Sequence, residues 1–164
     1  MYPEGVPSLG SFTVSQSLSN VIVHLVFSTK DRRPFLTDRD IREQMHAKLG
    51  GTSKTLGCPP IIAGGVEDHV HLLARQSRTI TLSEWVKELK RVTSIWIKEQ
   101  GPEYSTFSWQ SGYGAFSVSQ SQLDTVAKYI RQQEEHHKHK DFKTEFREFL
   151  ERHEIEYDER YVWD

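Results

Sequence analysis

Val66-Glu67-Asp68-His69-Val70-His71-Leu72-Leu73-Ala74 has the alternation of a β-strand. Successive side chains of a strand point to opposite faces, so His69 and His71 project together while Val70 and Leu72 turn the other way. Their Cβ atoms then stand about 7 Å apart, a distance from which two imidazoles can tilt toward one cation. Half of a metal site is one meaning of this pattern; two histidines alternating on a half-exposed strand is the other. Glu67 shares the face of His69, from which it could orient a water or a ligand. Asp68 shares that of Val70, which turns it away from a metal and leaves hairpin chemistry as the ordinary role of both acids.

Outward from this strand, Pro59-Pro60-Ile61-Ile62-Ala63 reads as its hairpin partner, with Gly64-Gly65 as the tight turn. Upstream, Val21-Ile22-Val23-His24-Leu25-Val26-Phe27 is a β-branched and aromatic run typical of a buried first strand. Between them, Thr37 and Asp40 suggest a capping box. A first helix should run from about Asp38 into the Lys48 region, weakened or broken at Gly50-Gly51. Thr81 and Glu84 cap the clearest helix, Thr81 to Gln100, whose apolar stripe is Leu82, Trp85, Val86, Leu89, Val92, Trp96 and Ile97. Phe107 to Trp109 and Tyr113 to Val118 supply a fourth strand. Two strand-helix-strand units with right-handed crossovers predict an α+β, ferredoxin-like (RRM-like) fold. It has a four-stranded antiparallel sheet, two helices on one face, and the first and third strands in the centre. The histidines then line the other, open face.

The chain has 164 residues, enough for one domain, here 18–164, after a poorly ordered lead-in over 1–17. No apolar run is long enough to cross a bilayer, and Met1 to Ser8 lacks the basic start and apolar core of a secretory signal. The single Cys58 excludes an intrachain disulfide and a multi-cysteine zinc site, so a cytoplasmic location is the expectation. Net charge is −2, but residues 141–164 hold 9 Asp or Glu against 4 Lys or Arg, which leaves the preceding body positive. Lys30, Arg32 and Arg33 at the end of the first strand, and Lys87 and Arg91 on one side of the long helix, are candidate DNA contacts. Solvated turns and helix faces have the same composition.

A further helix, about 121–137, opens at Ser121 with Asp124 and buries Leu123, Val126, Ala127 and Ile130. Tyr129 and Gln133 stack four residues apart beside that stripe, and His137 continues the row. A short terminal helix over Asp141 to Glu151 carries Phe142, Phe146, Phe149 and Leu150, and Tyr157, Tyr161 and Trp163 pack the acidic tail onto the body.

His69-Val70-His71, the segment Tyr129-Ile130-Arg131-Gln132-Gln133-Glu134-Glu135-His136-His137 and the tail Tyr157-Asp158-Glu159-Arg160-Tyr161-Val162-Trp163-Asp164 together resemble the single-tyrosine HUH transposases. These small insertion-sequence enzymes are related to the repeat-associated tyrosine transposases. The resemblance runs from about Val21 to the C-terminus and includes Ser28-Thr29-Lys30 and Ser111-Gly112-Tyr113-Gly114-Ala115-Phe116. It implies cleavage and rejoining of single-stranded DNA through a 5'-phosphotyrosine, with Tyr129 as nucleophile and His69, His71 and Gln133 as metal ligands. It also implies hairpin-bearing element ends as substrate and a homodimer whose sites are completed in cis or in trans. His137 is the alternative to Gln133, or its assistant.

The chemistry is consistent with these roles. A tyrosyl ester conserves the phosphodiester bond energy for rejoining, and two imidazoles with an amide oxygen suit Mg²⁺ or Mn²⁺, with zinc as a third candidate. Two other functions compete. A metal-dependent hydrolase needs more ligands than Leu72-Leu73-Ala74 supplies after His71. A noncatalytic nucleic-acid-binding module on an RRM-like sheet needs exposed aromatics, for which Phe27 and Phe116 are the candidates.

Overall fold

A computed structural model describes residues 16–164. The expected lead-in lies almost wholly outside the described residues. Four strands, β1 (Ile22–Ser28), β2 (Pro60–Gly65), β3 (His69–Arg75) and β4 (Gly114–Val118), form one antiparallel sheet in the order β2-β3-β1-β4. With β1 and β3 central, this is the ferredoxin-like arrangement the sequence predicts. β1 is buried at all seven positions because helices cover both faces of the sheet. On one face, α1 (Arg39–Thr55) and α2 (Leu82–Lys98) enclose the main core around Leu25, Phe27, Val70, Leu72, Trp85 and Leu89. Polar atoms inside this core are paired: Trp85 Nε1 donates to Ser53 Oγ at 3.1 Å and Trp109 Nε1 to Thr93 Oγ1 at 3.0 Å.

The opposite face is not open. α3 (Leu123–Arg131), the single turn α4 (Gln133–His136) and α5 (Phe142–Arg152) lie over it. α3 seals Ile22 and Leu73 with Ala127 and Ile130, and α5 packs Phe142, Phe146, Phe149 and Leu150 on Val26 and Phe116. The tail returns across α5: Trp163 contacts Phe142 and Phe146, Arg32 donates to the Trp163 carbonyl at 3.1 Å, and the Gly112 amide donates to the Asp164 carbonyl at 2.7 Å. Both proposed aromatic platforms, Phe27 and Phe116, are buried.

Local boundaries differ from expectation for identifiable reasons. α1 is capped by Asp38, which accepts from the Ile41 amide at 3.1 Å, and the Thr37 hydroxyl turns back to the Pro34 carbonyl. The helix passes through Gly50-Gly51 and ends at Thr55, capped by Leu56 and followed by Gly57 at φ 78°. Tertiary packing overrides the roughly 1 kcal/mol each interior glycine costs. Gly64-Gly65 is the end of β2, and the turn falls at Val66 to Asp68. A Cβ at Gly64 would lie 2.8 Å from Ile130 Cγ2, so the missing side chain is what seats α3 directly on the sheet. Trp109 makes only an isolated bridge to Thr29. The capping box at Ser121 does not form, since its hydroxyl pairs with Ser119 at 3.0 Å. The expected continuous helix over 121–137 breaks at Gln132, whose φ of −97° and ψ of 19° separate α3 from α4.

Candidate metal and tyrosine site

β3 delivers the two histidines to the covered face. His69 and His71 are 0% exposed, and Gln133 at the start of α4 is 1% exposed, like Glu145 on the inner side of α5. The break at Gln132 does not scatter the row that begins at Tyr129. Tyr129, Gln133 and His137 all reach one carboxylate oxygen, Oε2 of Glu145: the Tyr129 hydroxyl donates to it, as does Gln133 Nε2 at 3.3 Å, and His137 Nε2 lies 2.9 Å away. Oε1 of Glu145 faces the histidines, 3.0 Å from His71 Nε2 and 3.4 Å from His69 Nε2.

Each ring is held from behind. His69 Nδ1 donates to Asp68 Oδ1 at 2.7 Å, and His71 Nδ1 shares a 2.7 Å hydrogen bond with His24 Nε2, the two rings stacked at 5.0 Å. Such partners fix the tautomer and ring orientation of a metal-ligating imidazole. Asp68 is therefore not turned away from the histidines, as strand alternation predicts. It stands in the turn before β3, where that alternation does not apply. Glu67 is exposed and contributes its carbonyl to the Leu36 amide.

With Nδ1 of each ring committed, Nε2 of His69, Nε2 of His71, Oε1 of Gln133 and Oε1 of Glu145 converge. His69 Nε2 is 3.1 Å from Gln133 Oε1, and the atoms of His69, His71 and Glu145 that could hold a metal lie within 4.8 Å of one another. His71 Nε2 and Glu145 Oε1 are buried without an aligned hydrogen bond. Lone pairs aimed at one point require positive charge between them, either a proton on a ring or a cation. This donor set fits a divalent metal held by nitrogen and oxygen.

The titration behaviour follows from the same contacts. Burial works against a charged His69, but hydrogen bonds to Asp68 and Glu145 outweigh it and carry its pKa up to about 9. At His71 burial wins over Glu145 and the pKa falls. His24 is lowered well below the usual histidine range by burial and by His71, so it orients His71 as a neutral ring. Glu145 is held far below the carboxylate range, the surrounding His71, His137 and His69 overcoming its burial. Burial and the Glu145 carboxylate raise the Tyr129 phenol well above its ordinary value.

Of the residues named from sequence, the structure brings together His69, His71, Gln133 and Tyr129, with His137 at the edge. Lys30 and Arg33 are exposed beside the Asp68 turn, to which the Thr29 amide donates at 2.8 Å. Lys87 and Arg91 lie on α2 in the other layer, Arg91 paired with Glu88 at 2.8 Å. Sequence reasoning missed Glu145 and His24. Glu145 is the charged position on the apolar side of α5, between Phe142 and Phe149. His24 is the polar residue in the apolar run of β1.

The family described as "Transposase IS200 like" matches residues 17–133. No curated protein sequence matches the chain. Among solved structures, a candidate transposase from Deinococcus radiodurans R1 is similar with a TM-score of 0.57 at 20% identity, over 75% of this chain and 98% of that one. A REP-associated tyrosine transposase bound to a REP hairpin is similar with a TM-score of 0.55 at 11% identity, over 77% of this chain and 74% of that one. At these identities the likeness establishes the shared fold, and the family match over most of the sequence establishes the lineage: the chain belongs to the IS200-like transposase family.

Proposed function

We propose that the chain, a single domain over 18–164, cuts and rejoins single-stranded DNA through a 5'-phosphotyrosine on Tyr129, beside a divalent cation held by His69, His71 and Gln133. One observation carries this reading: a tyrosine hydroxyl, two back-braced imidazoles and the Gln133 amide nitrogen meet at one buried carboxylate, with the amide oxygen turned to His69. Mg²⁺ or Mn²⁺ suits these donors and, when bound, would polarise a phosphoryl group and balance its charge.

The residues of the chain do the rest. Asp68 and His24 keep the Nε2 lone pairs of His69 and His71 on the cation side. The Tyr129 oxygen bonds phosphorus while the bond to the 3'-oxygen breaks; the phenol loses its proton and the 3'-oxygen gains one. The reverse steps on a new 3'-hydroxyl rejoin the strand without further energy input.

In the described conformation this reaction is held off. Glu145 keeps the proton on Tyr129, and under α5 both histidines are fully buried. An incoming strand has to displace Glu145, an anion already lying between nucleophile and ligands, and α5 has to lift. Lys30, Arg32 and Arg33, at the His69 end of the sheet, and Lys87 and Arg91 on α2 are the proposed DNA contacts. The hairpin held by the REP-associated neighbour supports hairpin-bearing element ends as substrate. α3 rests on β2 of its own chain, which favours Tyr129 acting in cis, so that a homodimer would pair two complete sites. Phe27 and Phe116 are buried, so the rival RRM-like binding module lacks its stacking surface.

The test is incubation with a hairpin-bearing single strand and Mg²⁺ or Mn²⁺, then denaturing electrophoresis. A covalent adduct is expected from the wild type and none from Tyr129→Phe, which should still bind DNA. An adduct of undiminished yield in Tyr129→Phe refutes the assignment.

A further inference from the structure

Behind Gln133, on the outer edge of β2, a cleft of roughly 450 Å³ separates α1 from the α3–α4 junction. Arg39, Arg42 and His46 line its α1 side at helical spacing, and Arg131 and Glu134 line the other. Two guanidinium groups grip one carboxylate across it: Arg39 Nη2 donates to Glu134 Oε2 at 2.9 Å and Arg42 Nη1 to Glu134 Oε1 at 3.0 Å. The Arg42 side chain is only 12% exposed. It is fixed from behind, its Nε donating to the Leu36 carbonyl at 2.8 Å and Nη2 to the Thr37 carbonyl at 3.3 Å, so Nη1 points into the cleft before anything binds. Glu134, by contrast, is 52% exposed, and Arg39 is 73% exposed. His46 Nε2 is buried without a partner, and burial, followed by the charges of Arg42 and the two site histidines, lowers its pKa to about 4, leaving a neutral ring with a free polar atom.

A rigid arginine, a second arginine one turn away and a displaceable carboxylate between them describe a site for a phosphate. Planar guanidinium groups recognise phosphate bidentately, and Glu134, whose side chain is half exposed to solvent, is the partner free to leave while Arg42 stays fixed. The residue next to it, Gln133, reaches His69, so the cleft lies against the back of the proposed metal site.

We propose that Arg39 and Arg42 bind a backbone phosphate of the substrate strand flanking the scissile one, and that Glu134 fills this seat as an internal phosphate mimic until DNA displaces it. This rests on the reading of the chain as a single-strand nuclease, because it assigns the cleft to the same DNA strand.

The probe is a fluorescein-labelled oligothymidylate 20-mer, which has phosphates but no hairpin, titrated by anisotropy over a salt series with the full chain. Glu134→Ala is expected to bind at least threefold more tightly than wild type. Arg42→Ala with Arg39→Ala is expected to bind at least fivefold more weakly, with a log K against log salt slope shallower by about 0.7, the change that follows when one fewer single-strand phosphate is neutralised. Adding Glu134→Ala to that double variant should then give no gain. Weaker binding by Glu134→Ala would mean that the carboxylate only ties α4 to α1, and would overturn the proposal. An unchanged salt slope in the double variant would overturn it as well, with thermal melting confirming that each variant is folded. Adduct formation by the same preparations is scored separately: an adduct with an unchanged salt slope sinks the cleft alone, and loss of the adduct in every protein sinks the nuclease reading.

Discussion

At the residue scale, the side chains behind the proposed ligands belong to the site as well. Asp68 accepts from His69 Nδ1 at 2.7 Å, and outer partners of this kind typically carry about 10–100-fold in metal affinity. Asp68→Asn should therefore weaken Mn²⁺ binding, read by calorimetry, by about tenfold or more. Affinity equal to wild type would remove Asp68 from the site. His46 gives a pH signature. Its folded pKa is about 4 against 6.5 unfolded, so between those values the unfolded chain binds more protons. The contribution is complete above pH 6.5 and is lost as the pH falls toward 4. The midpoint of urea unfolding should fall less steeply over that window in His46→Gln than in wild type; parallel slopes would mean that His46 titrates normally.

At the element scale, α5 is what covers the histidines. It is held by its phenylalanines and by the tail, where Trp163 lies on Phe142 and Phe146 with Lys143 and Arg147 over its ring. Trp163→Ala should loosen the latch without emptying the main core. Hydrogen exchange of the α5 amides should speed up and the yield of covalent adduct should rise; a fall in adduct with unaltered exchange would show that α5 is not a barrier. Much of the element pattern was legible in sequence. The β1 run, the Thr81 cap and the His-x-His alternation each report local physics that the fold keeps. The covering of the second face was not legible, because the apolar side of α5 signals burial without naming its partner. Glu145 was missed for the same reason, since its importance depends on contacts with three other elements.

For the whole molecule, the sheet order and the glycine seat at Gly64 place Tyr129 over histidines of its own chain. The proposed action in cis has a direct consequence for mixtures: His69→Ala and Tyr129→Phe, each expected to be inactive, should not restore one another when combined. Adduct recovered on the His69→Ala chain would show that a partner supplies the ligands. Main-core burial on the α1–α2 side is separate from the proposed site, so one layer supports the sheet while the other covers the candidate residues.

The central claim is the identity of the nucleophile. The direct measurement is peptide mapping by mass spectrometry of the denatured protein–DNA adduct, formed with a hairpin-bearing single strand and Mn²⁺. The expected result is a single nucleotide-bearing peptide, modified through a 5'-phosphate on Tyr129. Modification at any other residue, or cleavage of the strand with no protein-linked phosphate, would contradict the account.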